Sequence, residues 1–374
     1  MAKAVYVGVG SKARKMKKAY IGIGGKARKV KKMYIGVGGK ARLCYSAELE
    51  RYGMAAALST TRYDMRAATV GKYALFAGGY ISKYSFSYRV SSSVDAYNTS
   101  LTKSTPTELS CKRCGHAAAS VGGYALFAGG ASSYNILGFY ENLVSAVDAY
   151  DASLTRSAAH IIGATVAIGG AAVGNYALFA GGTVYSQVNK DNVTSDVLAY
   201  DPSLTFTTAP LLSVARANVK GASAGNYALF AGGRAGSFCT TVDAYNASLT
   251  RTTATALSST KNNSAAATVG NHAIFVGNTA SADIYDASLT KTSAAILSTA
   301  RTGLAATTVG DYAIFSGGGV ADFCDASLTR SSIGTSMTGY DMGAATIGDY
   351  ALFAGGHSSE KSDTAYDSVE VYTA

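Results

Sequence analysis

Tyr73-Ala-Leu-Phe-Ala-Gly-Gly79 decides the fold, because the chain writes it repeatedly. The same seven residues return at 124–130, 176–182, 227–233 and 350–356. Two degenerate copies stand between them: His272-Ala-Ile-Phe-Val-Gly-Asn278 and Tyr312-Ala-Ile-Phe-Ser-Gly-Gly318. Successive copies start 51, 52, 51, 45, 40 and 38 residues apart, so one unit recurs seven times while its loops shorten. A period of this length is the mark of a repeat architecture. Each unit reads as four strands. A small apolar strand such as Ala67-Ala-Thr-Val70 ends in a two-residue turn with Gly first, as in Gly71-Lys72. Glycine there supplies the positive φ of a tight hairpin. The aromatic strand follows and stops at its glycine pair. A loop of variable length leads to Val94-Asp-Ala-Tyr97 and its equivalents. Then comes Asp/Asn-Ala-Ser-Leu-Thr, at 151–155, 246–250, 286–290 and 325–329, a turn stabilised by its own side chains. Seven such sheets predict an all-β, seven-bladed propeller.

The two ends of the repeat region fit together. The chain finishes on Val369-Glu-Val-Tyr372, a third strand with no fourth, and Arg51–Leu58 precedes the first complete unit. Pairing these segments closes the ring and removes two exposed sheet edges. Ala-rich first strands suit a crowded axis where seven sheets converge.

Composition agrees. Of 374 residues, 48% are hydrophobic and 15% charged, with 42 Gly, 26 Tyr, 3 Pro and no Trp; this is not the composition of a disordered chain. No apolar run approaches the ~20 residues of a membrane helix, so no membrane insertion is expected. The basic start lacks the ~7–15-residue apolar stretch of a secretory leader, so no signal peptide is expected. Five scattered cysteines suit synthesis in a reducing compartment without disulfides.

The net charge of +10 is unevenly placed. Thirteen of the 33 Lys and Arg lie in residues 1–45, which hold no acid, and the other 20 face 23 Asp and Glu. The arm has its own 14-residue period, marked by Tyr6, Tyr20 and Tyr34, by Gly8, Gly22 and Gly36, and by Arg14, Arg28 and Arg42. Strand, glycine turn, strand is the expectation for each copy. A hairpin this rich in like charge needs a surface to order against. Docking into an assembly is the preferred reading, ahead of solvated charge and of nucleic acid, for which basic tracts are weak evidence. The division is thus an arm, 1–45, and a propeller, 46–374.

Over residues 51–374 the chain resembles the kelch repeat family. The glycine pair closing the second strand and an Arg ahead of the first carry the likeness. Arg113-Cys-Gly-His116 is similar to the kelch Arg-x-x-His pattern, with Arg62, Arg216 and Arg301 in the same place. Where kelch repeats have Trp, this chain has Tyr97, Tyr150, Tyr200, Tyr245 and Tyr285. Over residues 3–45 the basic repeats resemble those near the N-termini of tail and other virion proteins of phages infecting Gram-positive gut bacteria. That resemblance implies an arm that attaches to other virion proteins and a propeller displayed for recognition. It also implies a virion location after synthesis in the host cytoplasm.

Cys111-Lys-Arg-Cys114 has metal spacing but no second pair, and a zinc site needs four ligands or three plus water. His116 stands where other units carry Met65, Val219 and Leu304, which marks a core histidine. His272 takes a tyrosine's place, and His160 and His357 have no acid assignable as a partner. The recurring Asp95, Asp148 and Asp243 read as blade-building residues. No catalytic residue, metal ligand or cofactor is assigned, and the protein is expected not to be an enzyme.

What remains is a surface. The second-to-third loops of the first three units are long and aromatic: Tyr80, Tyr84, Phe86 and Tyr88; Tyr134, Phe139 and Tyr140; Tyr185. Adjacent exposed rings are typical of recognition patches and sugar platforms. The leading expectation is a phage virion structural protein of tail or fibre type that recognises a host-surface glycan or protein. The alternatives are an intracellular kelch-type adaptor and a sugar-acting propeller enzyme. Homo-oligomerisation stays open.

Overall fold

The computed structural model describes residues 6–9, 12–15, 19–23, 26–30, 32–37, 40–46, 49–84, 87–135, 140–160, 162–184, 192–261, 265–359 and 362–374. Among them there are strands and turns but no helix. The architecture is β-propeller-like: small four-stranded antiparallel sheets, each one meander of the repeat. The first consists of Arg66–Val70, Tyr73–Ala77, Val94–Asn98 and Lys103–Ser104. The next five begin at Ala117, Gly169, Lys220, Ala265 and Ala305. The last comprises Gly343–Ile347, Tyr350–Ala354, Val369–Thr373 and, from the start of the chain, Glu50–Ala55. That outer strand pairs Ala55 with Val369 and Glu50 with Thr373, with one irregularity between Val371 and Tyr372. Innermost strands pack on those of neighbouring sheets, the last on the first, around a central channel. Ahead of Leu49, the strands pair as three separate hairpins: Tyr6–Val9 with Lys12–Lys15, Tyr20–Ile23 with Lys26–Lys29, and Lys32–Val37 with Lys40–Ser46.

Small residues set how closely the innermost strands approach. A Cβ on Gly221 would sit 2.2 Å from the carbonyl oxygen of Gly170, and one on Gly170 2.5 Å from that of Ala118. Two residues farther along each strand, hydroxyls lace sheet to sheet. Thr69 donates to the Thr346 carbonyl at 2.7 Å, Ser120 to that of Thr69 at 2.6 Å, and Ser223 to that of Ala172 at 2.7 Å. Thr268 donates to the Ser223 carbonyl at 3.0 Å, Thr308 to that of Thr268, and Thr346 to that of Thr308. The seventh place is Ala172, which has no hydroxyl to give Ser120.

The strongest links between sheets are buried carboxylates. The third strand carries an acid at its second position, and the connector arriving from the preceding sheet carries Ser-x-x-Arg or Ser-x-x-Lys. Asp95 accepts from the Ser59 N–H and hydroxyl, each at 3.1 Å, and from Arg62. Asp148 holds Ser110 and Arg113, Asp243 holds Ser213 and Arg216 (2.9 Å), and Asp322 holds Ser298 and Arg301 (2.6 Å). Asp283 takes Ser258 and Lys261. Arg62, Arg113 and Arg216 are fully buried, and each also donates to carbonyls at the glycine corner, as Nη1 of Arg62 does to Gly78 and Ser93. Burial would raise the carboxyls of Asp283 and Asp322, but hydrogen bonds led by Ser258 and Ser332, respectively, hold both below the ordinary range. In the third sheet acid and arginine vanish together, leaving Leu198 and Thr165. In the last, Glu370 takes Ser336 and the cation comes from Arg51.

A tyrosine two residues later makes a second link. Tyr97, Tyr150, Tyr200, Tyr245 and Tyr285 donate to connector carbonyls of Ala56, Thr107, His160, Pro210 and Thr255 at 2.6–2.8 Å. Each ring meets the second-strand Phe edge-on, as Phe76 meets Tyr97 at 5.9 Å. Beyond it the Asx turn closes, with Asp151 Oδ1 accepting from the Ser153 and Thr155 N–H groups. Each such turn holds a leucine in left-handed backbone (Leu249, φ 57°), a conformation that costs ~1–2 kcal/mol and that side-chain packing offsets.

Two outcomes follow for stability. Arg216→Met should destabilise by about 3–5 kcal/mol in chemical denaturation, because it removes the buried one of the two arginines paired with Asp243 and leaves only the half-buried Arg251 at 3.1 Å. Arg216→Met with Asp243→Leu, which copies the third sheet, should cost clearly less; equal costs would refute the pairing argument. Ala172→Ser should complete the hydroxyl ring and add about 0.5–1.5 kcal/mol. No gain in the unfolding midpoint would show that the lacing contributes nothing net.

Candidate functional site

The connections between second and third strands fold into hairpins on one face. Tyr80–Tyr84 pairs with Ser87–Val90, and Ala131–Asn135 with Tyr140–Leu143. The two hairpins then pair with each other through Ser87↔Asn135 and Tyr88↔Tyr134, making a further four-stranded sheet above the ring. A third hairpin, His357–Ser359 with Ser362–Ala365, packs beside the first.

This pairing changes the expected character of the loop aromatics. Tyr80 is buried, 6% exposed, whereas Tyr88, Tyr134 and Tyr140 are half-buried. Tyr80 stacks on Tyr63 at 5.1 Å and meets Tyr88 and Tyr134 edge-on at 5.7 and 5.5 Å. Tyr134 meets Tyr140 at 4.9 Å. With Val90, Cys114, Ala131 and Val166 these rings build a small core of their own, so Tyr80 is a packing residue. Tyr84 ends its strand opposite Ser87 at the hairpin tip. Phe86, Phe139 and Tyr185 lie outside the described residues.

The same face surrounds the mouth of the central channel. Its rim is made of residues in left-handed backbone ahead of the innermost strands, including Asp64 (φ 52°), Ala167, Asn218 and Asp341. The Asp64 N–H donates to the Asp341 carbonyl at 2.6 Å, that of Asp341 to Gly303, and that of Asn218 to Ala167. Arg66 is held by the Asp64 carboxylate at 2.6 Å and donates from Nε to the His116 carbonyl at 2.8 Å. Burial and then Asp64 push the Tyr140 hydroxyl well above its ordinary pKa. A cavity of about 250 Å³ lies at this mouth, with Arg66 and Lys220 among its lining residues. The hydroxyl ring lines a separate cavity of about 400 Å³.

Asp64, Arg66, Lys220 and Asp341 were not singled out by the sequence reading. A signal existed for two of them, because Arg66 and Lys220 stand where other repeats carry Ala or Gly. His357 is a correction: its Nε2 lies 3.1 Å from Asp341 Oδ2, so it does have an acid partner. Asp341 belongs to the preceding connector, and only the fold brings the two together. His116 is fully buried against Phe127, and burial, then Arg113, drive its pKa well below the ordinary value. His160 stacks on Phe206 at 4.5 Å, and His272 opens a second strand. Cys114 is a buried free thiol whose pKa burial pushes up to about 12; Cys111 is also free. In the hairpins ahead of the propeller-like body, Tyr6, Tyr20 and Tyr34 lie in first strands, and Arg14, Arg28 and Arg42 in second strands opposite Val7, Ile21 and Ile35.

No family model and no curated protein matches the chain. Among solved structures it is similar to the one titled "Structure of YjhT", with a TM-score of 0.54 and 13% identity over 86% of this chain and 99% of that one. At this identity the likeness is one of fold.

Proposed function

We propose that the chain is a non-enzymatic phage virion protein of tail or fibre type. In this reading residues 1–45 anchor it to other virion proteins, and a seven-bladed kelch-like propeller, 46–374, is displayed to recognise a host-surface glycan or protein. One observation supports this above the others: the strand that follows residues 1–45 enters its sheet at the end opposite the aromatic face. The outer strand Glu50–Ala55 enters at the end where Glu50 meets Thr373, beside the tight turn at Gly348-Asp349. Ala55 meets Val369 at the other end, where the hairpins rise. An arm leaving from Glu50 therefore attaches on the turn side and leaves the tyrosine hairpins and channel mouth facing outward.

The arm's charge fits the role. Two-stranded hairpins are marginal alone, and thirteen cations without an acid favour an acidic docking surface. The hairpin sheet fits the other half of the reading. It is unnecessary for ring packing, since the sheets starting at Ala265 and Ala305 keep the same strands without it.

Deleting residues 1–45 should leave a cooperatively unfolding protein but abolish incorporation into particles, measured by immunoblot of purified virions. A truncated chain that fails to fold, or one still incorporated, overturns this division. Tyr84→Ser, at the hairpin tip, should shift stability by less than about 0.5 kcal/mol. It should weaken adsorption or partner binding by about 2 kcal/mol, roughly thirtyfold. A large fall in melting temperature with binding intact would move the recognition surface elsewhere.

A further inference from the structure

We propose that Arg66 and Lys220 form a binding site for an oxyanion, a carboxylate or phosphate group, in the mouth of the central channel. Both residues open an innermost strand, and the equivalent positions are Ala117, Gly169, Ala265, Ala305 and Gly343. Five of the sheets thus close the ring with almost no side chain there. Packing does not ask for a long cation, yet two sheets supply one. They are the sheets starting at Arg66 and Lys220, separated around the ring by two sheets one way and three the other, so the two strands stand across the ring from each other. Both line the cavity of about 250 Å³, which is small for a drug-sized ligand and suits a single charged group.

The cations differ in what already holds them. Arg66 is aimed by Asp64 and by the His116 carbonyl. Asp341, the other acid of the rim, is engaged by His357. The ammonium of Lys220 makes no hydrogen bond or ion pair among the described residues. Burial, followed by repulsion from Arg66, lowers its pKa, against the opposing pull of Asp64 and Asp341. A half-buried cation in this state is relieved by an anion, and charge-assisted hydrogen bonds are the strong ones. Arg66 supplies direction and Lys220 the unneutralised charge.

The test is calorimetric titration of the full chain with inorganic phosphate, with glucuronate and, as the neutral control, with glucose. At least one anion should bind and glucose should not. Phosphate alone would mark a free-phosphate site, and glucuronate alone an acidic-saccharide site. Lys220→Ala copies the residue already present at 117, 265 and 305, so its melting temperature should stay within about 2 °C of the parent. Its affinity should fall about tenfold or more, and Lys220→Arg should retain most of it. Absence of binding by both anions, or equal affinity of Lys220→Ala and the parent, overturns the proposal. Because the isolated chain is used, this outcome is independent of particle incorporation and adsorption.

Discussion

The structure depends on a carboxylate buried in the middle of a sheet and satisfied by the chain arriving from the sheet before. Stranding such a charge is expensive, so acid, serine and cation have to be present together. The molecule respects this constraint. Where Leu198 replaces the acid, Thr165 replaces the arginine; where Glu370 lengthens the acid, Arg51 supplies the cation from the outer strand instead. Since serine and arginine lie on the connector and the acid on the next sheet, each pair is a joint between neighbours. The tyrosine two residues farther on reinforces the same joint with its hydroxyl.

At the axis a different constraint applies. Innermost strands approach so closely that alanine and glycine prevail, and hydroxyls two residues along lace each strand to its neighbour's carbonyl. The channel therefore has two unlike ends. One is ringed by hydroxyls already committed to backbone acceptors. The other is edged by Asp64, Arg66, Lys220 and Asp341 and overlooked by hairpin tyrosines. A ring built from near-identical units becomes chemically asymmetric only where a repeat departs from its own pattern. Departures at the mouth are the informative ones.

The site was less legible than the fold. Tyr80, Tyr88, Tyr134 and Tyr140 stood out by composition, but which of them face solvent depends on two loops pairing through Tyr88 and Tyr134, about forty-five residues apart. That pairing turned Tyr80 into a core residue. His357 lacked an evident partner because Asp341 reaches it only after the connector crosses the sheet. The recurring aspartates and arginines were both visible, yet their union was not, since Arg62 and Asp95 meet only through the glycine corner between second and third strands.

By itself the sequence determined the repeat, the four-strand meander and a closing partnership of Arg51–Leu58 with Val369–Tyr372, whose strand the structure places at Glu50–Ala55, short of Leu58. These follow from local chemistry: glycine turns, strand-length apolar runs and Asx turns act over a few residues, and sevenfold repetition makes their register unmistakable. Only the tertiary structure decided which acid neutralises which cation, which tyrosines are covered, and that Arg66 and Lys220 open into one cavity. Those are distances between segments far apart in the chain, set by how neighbouring sheets pack around an axis, and no local pattern encodes them.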